Sequence, residues 1–168
     1  MTLDQRVSLY EACQQLSPIY PGYATLPIQE GFNWSSSLGD AHFERLYVVI
    51  FRSVLRATAD LDLLYEHDEL AHTEAIETGG LLFYFRGVIN ERRESLSFCL
   101  WENGEQARRA SGSPLHRAAM GIVTEMYESY SLERYDLVNG GGPKGSFVFR
   151  PHEGVSSRQD TGVPGQPS

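Results

Sequence analysis

Apolar residues follow strand-like and helical spacings in a fixed order through the middle of the chain. "RLYVVIFRSVL", Arg45 to Leu55, is β-branched, aromatic and continuous enough for a buried strand. "ADLDLLYEHDELAHTEAIETGG" then reads as a helix that starts near Asp60. It closes at Gly79-Gly80, a residue type that tolerates the left-handed backbone of a helix end. Two strands come next, "LLFYFRGV" and "ESLSFCLWE", separated by the polar turn "INERR". "SGSPLHRAAMGIVTEMYESY" predicts a second helix, capped by Ser113 with Pro114 at its first position and running to about Tyr130. "LERYDLV" is the last strand of the set. The order β-α-β-β-α-β predicts an α+β, ferredoxin-like sheet over residues 45–138, with two helices on one face.

Flanking segments behave differently. Residues 1–44 contain a short helix, Thr2 to Leu16, and then "SPIYPGYATLPIQEGFNW", whose prolines and aromatics fit an extended arm lying on a surface. Residues 139–168 hold a Gly-rich connector, a short "SFVFR" strand and a tail of Ser, Gly, Pro and Gln that is expected to be disordered. "LLFYFRGV" and "RLYVVIFRSVL" carry apolar residues on both alternating sides, so the second sheet face also needs a cover. Sheets of this kind commonly pair face to face, which predicts a homodimer; the N-terminal arm is the rival cover.

At 168 residues, 41% apolar and 21% charged, the chain has the composition of one globular domain. Its formal charge of −8 with scattered basic residues argues against nucleic-acid and anionic-membrane partners, which are held by clustered Lys and Arg. No apolar run approaches the roughly 20 residues of a membrane span, and the N-terminus lacks an uninterrupted signal-type core, so a cytoplasmic protein is expected. Cys13 and Cys99 stand far apart without CxxC or Cys/His spacing, and both are expected to be reduced and structural.

Candidate chemistry lies on the helices. Leu61, Leu64, Tyr65, Ala71, Ala75 and Ile76 define the apolar stripe of the first helix, and His72 and Asp68 fall inside it. They are four residues apart, so one helical turn stacks the carboxylate beneath the imidazole, within hydrogen-bond reach. The second helix has its own stripe, Leu115, Ala119, Ile122, Val123, Met126, Tyr127 and Tyr130. His116 lies on that side in the first turn, where the positive end of the macrodipole favours a neutral imidazole. Two histidines with opposed protonation tendencies, aimed between helices and sheet, can act as acid and base. The plain alternative is that both are satisfied core histidines. Tyr84, Trp101 and Tyr127 supply aromatic walls and hydroxyls of the kind that line small-molecule sites. Arg86 shares strand parity with Tyr84; it either holds a carboxylate or developing enolate inside the pocket or reaches water at the strand end.

Sharper motifs are absent. "HDELAH" lacks the H-E-x-x-H spacing, so no metal is implied, and "GGGPKGS" lacks the spacing of a phosphate loop. No nucleophile elbow, dinucleotide fingerprint or Cys-His arrangement is present.

"GFNW" (Gly31 to Trp34), "LAHTEA" (Leu70 to Ala75), "GGLLFY" (Gly79 to Tyr84), "CLW" (Cys99 to Trp101), Ala107 and Ala110, "HRAAM" (His116 to Met120) and "YESYSLERY" (Tyr127 to Tyr135) resemble a UPF0643-like family of small fungal proteins. The resemblance runs in order from about Gly31 to Val138. It implies kinship with the dimeric α/β-barrel superfamily, whose ferredoxin-like subunits include monooxygenases, decarboxylases and polyketide cyclases that use neither metal nor organic cofactor. Matching positions include His72, Trp101 and His116. Where the family usually has "YWYG", this chain has "YFRG", which brings a positive charge to a shared pocket position.

The expected function is a cofactor-independent enzyme of fungal specialised metabolism that cyclises, isomerises, dehydrates or decarboxylates a small apolar molecule. His72 tuned by Asp68 and His116 would move protons, while Tyr84, Arg86, Trp101 and Tyr127 would bind substrate. The alternative is a non-catalytic small-molecule-binding or regulatory dimer, in which the histidines only orient a ligand.

Overall fold

The computed structural model describes residues 1–142 and 145–152. Helix α1 (Leu3–Cys13) begins with a reciprocal cap: Thr2 Oγ1 accepts the Gln5 N–H and Gln5 Oε1 accepts the Thr2 N–H. A single 3₁₀ turn (Tyr23–Thr25) and two short helices, α2 (Ile28–Gly31) and α3 (Trp34–Leu38), complete the N-terminal segment, so the expected extended arm is folded locally. Strand β1 (Arg45–Leu55) covers the segment expected from its pattern. Helix α4 (Leu61–Thr78) is capped by Asp60, whose Oδ1 accepts the Leu63 N–H at 3.0 Å, and stops at Gly79, where φ is 86°. Strands β2 (Leu81–Phe85) and β3 (Glu94–Trp101) follow as expected.

Beyond β3 the chain departs from its apparent periodicity. Helix α5 (Gly104–Ser111), unanticipated, is capped by Asn103 and buries Ala107 and Ala110. The single helix expected from Ser113 to Tyr130 is instead α6 (Pro114–Gly121), a one-turn α7 (Val123–Met126) and the first residues of β4 (Tyr127–Asn139). Ser113 makes no side-chain cap. Glu74 of α4 does that work from outside, its Oε2 accepting the N–H groups of Leu115 at 2.9 Å and His116 at 3.1 Å. The early start of β4 has a tertiary cause. Ser129 and Tyr130 pair with Val54 and Ser53, filling a ladder that β1 would otherwise leave open at that end. Strand β5 (Phe147–Pro151) adds an edge beyond β4. The tail expected to be disordered lies outside the described residues from position 153 onward.

The strands form one sheet in the order β2-β3-β1-β4-β5, and every neighbouring pair is antiparallel. The first four strands have the ferredoxin-like order that the element pattern predicts. One face presents Leu46, Val48, Ile50, Leu96, Phe98 and Leu100. On it lie Leu9, Cys13, Leu16, Ile28, Phe32, Trp34 and Leu38 of the N-terminal segment, so the arm takes the face that was left to a partner subunit or to the arm. Phe98 is the hub, in ring contact with Phe32, Trp34, Phe83 and Phe85. Polar ties lock the arm down. Arg52 donates to the carbonyls of Ala24 and Leu26, both at 2.8 Å, while Glu133 neutralises its charge. Gln14 donates to the Leu82 carbonyl at 2.9 Å, and Trp34 Nε1 to the Ile28 carbonyl at 2.8 Å.

Trp34 is 4% exposed and rests on Phe98 and Phe149. We predict that Trp34→Ala lowers the unfolding free energy by about 3–5 kcal/mol, as for other large aromatic truncations in a core. Urea denaturation followed by circular dichroism checks this. A loss under about 1 kcal/mol would mean that the arm is not an integral part of the core.

Candidate functional site

The opposite face of the sheet is covered quite differently. Helices α4 and α5 turn alanines towards it, Ala71, Ala75, Ala107 and Ala110, all buried. The arm fills its face with Leu, Phe and Trp; methyl groups cannot fill the same separation. Between helices and sheet there remains a cavity of about 590 Å³, within the usual range of small-molecule sites. Its floor is formed by inward residues of β1 and β3, including Val49, Phe51, Ser97 and Cys99, and its roof by α4, α5 and α6.

Every residue singled out from the sequence reaches the lining of this cavity. His72 and Asp68 come from α4, His116 from α6, Tyr84 from β2, Trp101 from β3 and Tyr127 from the start of β4; Arg86 follows β2 at its exposed end. The stripe of α4 is narrower than its periodicity implies. Ala71 and Ala75 are buried, whereas Leu61, Tyr65 and Ile76 are exposed.

Asp68 does not pair with His72 as the one-turn spacing implies. Tyr84 donates to its Oδ1 at 2.7 Å, and Arg86 Nη2 lies 2.5 Å from its Oδ2. Strand β2 places these two partners across from α4, and they reach the carboxylate first. Glu69 takes a second contact with Arg86 at 3.1 Å, and Tyr65 lies under the guanidinium. Arg86 is therefore a cation paired with two carboxylates at the exposed end of β2 rather than a free anion receptor. His72 instead lies against the Tyr84 ring, with 4.9 Å between centroids.

Asp68 dominates the local electrostatics. Burial pushes the Tyr84 phenol well above its ordinary range, and the Asp68 charge adds to this, so Tyr84 stays a neutral hydroxyl. Tyr127 is pushed up to about 12 by burial first and Asp68 second. Cys99 faces the cavity, but burial pushes its thiol up to about 12, which makes it a wall rather than a nucleophile near neutral pH. His116 moves the other way. Burial pulls its imidazole below the ordinary value, against the opposing pull of Glu74 and Asp68, so the neutral form that the helix terminus implied is favoured chiefly by desolvation. Among the described residues no three His, Cys, Asp or Glu side chains converge as a metal-binding group.

Tyr47, Arg108, Arg134 and His152 also line the cavity and were not singled out from the sequence. Tyr47 and Arg134 share the strand parity of the floor, a signal present in "RLYVVIF" and "LERYDLV" once the pairing register is known.

Residues 1–149 match a family model described as PB2B2.08-like. The UPF0643 protein PB2B2.08 of Schizosaccharomyces pombe (strain 972 / ATCC 24843) is 32% identical over 112 residues, covering 62% of this chain and 50% of that protein. The chain thus spans about half the length of this curated relative. Among solved structures, a putative antibiotic biosynthesis monooxygenase from Nitrosomonas europaea matches with 9% identity and TM-score 0.49, over 61% of this chain and 97% of that one. A dimeric protein with a ferredoxin-like fold from Bacteroides fragilis NCTC 9343 matches with 17% identity and TM-score 0.46, over 54% and 95%. SnoaB, a cofactor-independent oxygenase from Streptomyces nogalater, matches with 8% identity and TM-score 0.45, over 55% and 92%.

The depressed value of His116 sets a pH dependence. The unfolded chain binds the proton first as pH falls, so the neutral ring favours the fold above about 6.5, and that contribution is lost as pH drops through the lower folded-state value. The His116 ring signals in proton NMR should titrate with a midpoint below 6.5, and His116→Gln should flatten the fall in stability on that side. A midpoint above 6.5 would contradict the burial of the ring.

Proposed function

The chain belongs to the PB2B2.08-like family, and we propose that it is a cofactor-independent enzyme performing acid-base chemistry on a small, largely apolar molecule held between its helices and sheet. The observation that carries this is one cavity of about 590 Å³ lined by His72, His116, Tyr84 and Asp68 together, with apolar walls around them. A solid core would give these polar groups only protein partners.

In this proposal His116, kept neutral by burial, takes a proton from a C–H or O–H of the bound molecule. His72 returns one at a second position, and the two rings re-equilibrate afterwards through solvent. Tyr84, fixed by its hydrogen bond to Asp68, orients the polar end of the molecule, while Trp101 and Tyr127 set the shape of the space. Isomerisation, cyclisation and dehydration all begin from such a proton transfer, and decarboxylation ends with one, when the carbanion or enolate left by loss of CO2 is protonated. The protein acts in the cytoplasm in this proposal, in keeping with its two free cysteines. Self-association as a homodimer would use a surface other than the arm-covered face. Among the described residues no helix is long and apolar enough to cross a membrane.

Solvent-deuterium incorporation into a panel of aryl ketones and β-keto acids, read by NMR, tests the chemistry. We expect His116→Ala and His72→Ala to lower exchange by about 10²- to 10⁴-fold while the thermal midpoint stays near that of the parent. Unchanged exchange in both variants would remove the histidines from the reaction. Stabilisation by these compounds without any exchange would support the binding-module alternative.

A further inference from the structure

The charge on the cavity wall is opposite to that of the chain. The protein carries a formal charge of −8, yet the lining contains one carboxylate, Asp68, against three guanidinium groups, Arg86, Arg108 and Arg134. Arg86 is cancelled by Asp68 and Glu69. Among the described residues no carboxylate forms an ion pair with Arg108 or Arg134. Of the acids beside them, Asp136 is held by His152 at 3.1 Å and Arg45 at 3.8 Å, and Glu105 contacts Arg109 at 3.7 Å; both stand outside the lining. Two cations without a carboxylate ion pair among the described residues thus line the cavity, Arg134 half-buried and Arg108 exposed at its rim.

The register shows where they sit. Tyr84 pairs with Cys99, Cys99 with Val49, and Val49 with Arg134, so the four occupy one row across β2, β3, β1 and β4. At about 4.8 Å per strand step, the backbone positions of Tyr84 and Arg134 are roughly 14 Å apart. Between them the floor is Cys99 and Val49. Arg134 and Arg108 both act on Tyr47, against the opposing charge of Asp136, and the His152 ring lies edge-on against Tyr47 at 4.7 Å between centroids. One end of the row therefore holds the Tyr84, Asp68 and His72 cluster, and the other holds Arg134, hydrogen-bonded to the Tyr47 phenol, with Arg108 of α5 nearby.

We propose that the molecule taken by this cavity is an organic anion, an apolar body whose anionic head is held by Arg134 and Arg108 beside Tyr47 while its uncharged end lies at Tyr84 and His72. This rests on the cavity being a small-molecule site and adds the class of molecule that fits it. The half-buried Arg134 and the exposed Arg108 beside it can take a carboxylate or a phosphate ester through charge-assisted hydrogen bonds. The head serves as an anchor, since it is held away from His72. The reaction therefore takes place at the other end, which favours isomerisation, cyclisation or dehydration over loss of that carboxylate.

Isothermal titration with 2-naphthoate, 2-naphthyl phosphate and the neutral 2-naphthamide provides the test, using the parent chain and the Arg108→Gln/Arg134→Gln double variant, with folding checked by circular dichroism. The expected result is that at least one anion binds the parent ten-fold or more tightly than the amide. In the double variant that preference should vanish while amide affinity is kept. The preferred anion identifies the head as carboxylate or phosphate. Equal affinity of all three for the parent, or a preference that survives the double substitution, overturns the anionic anchor alone. No binding of any of the three, amide included, overturns the anchor and the small-molecule reading of the cavity together.

Discussion

A sheet that is apolar on both faces must be covered on both, and in this protein one chain supplies the two covers from different material. The arm lays Leu9, Ile28, Phe32, Trp34 and Leu38 on Phe98 and its neighbours, which excludes water and holds the strands rigid. The helices lay alanines on the other side. With one face filled, the strands have a fixed platform, and the shortfall of side-chain volume on the second face persists as a cavity rather than collapsing. Arg52 ties the two problems together: it fastens the arm to β1 from the filled side, while Phe51 and Ser53 on either side of it in sequence line the empty one.

Within that cavity a single carboxylate organises the polar groups. Asp68 orders Tyr84, pairs with Arg86, and contributes to the elevated values of Tyr127 and Cys99. In a largely desolvated space one charge acts over several neighbours, because little water screens it. The result is polarised along the sheet: an acid-and-phenol cluster paired with Arg86 at the β2 edge, and at the other side Arg134 of β4 and Arg108 of α5, with no carboxylate ion pair among the described residues. In the proposed function, such an arrangement would orient an elongated ligand before reaction, the source of much of the rate advantage of a positioned acid-base pair.

Particular residues show how far the chain was legible beforehand. Asp60, Gly79 and Pro114 announced helix ends by short-range chemistry, and the structure uses each of them. Ser113 announced one too, but Glu74, 39 residues earlier, caps α6 in its place, and no local pattern contains that contact. Residues 127–130 look helical beside Val123 and Met126, yet they join β1 because a strand ladder needs partners along its whole length. Helix α5 was visible in principle through Asn103, the Ala107 and Ala110 pair and Gly112, signals too brief to outweigh the strand before them. The relation of Asp68 to His72 failed for a similar reason. Helical spacing brings two side chains near each other, but Tyr84 and Arg86 approach from the sheet and compete successfully for the same oxygens.

The amino-acid sequence by itself determined the main strands, the long helix between β1 and β2, the ferredoxin-like arrangement, and the histidines and aromatics that line the cavity, because period, caps and turns are local properties. Tertiary structure alone decided that the arm covers one face, that alanines leave the other hollow, and that Arg134 lies in one row with Tyr84. Those outcomes depend on strand register and on side-chain volumes summed across elements distant in sequence, quantities that no window of neighbouring residues contains.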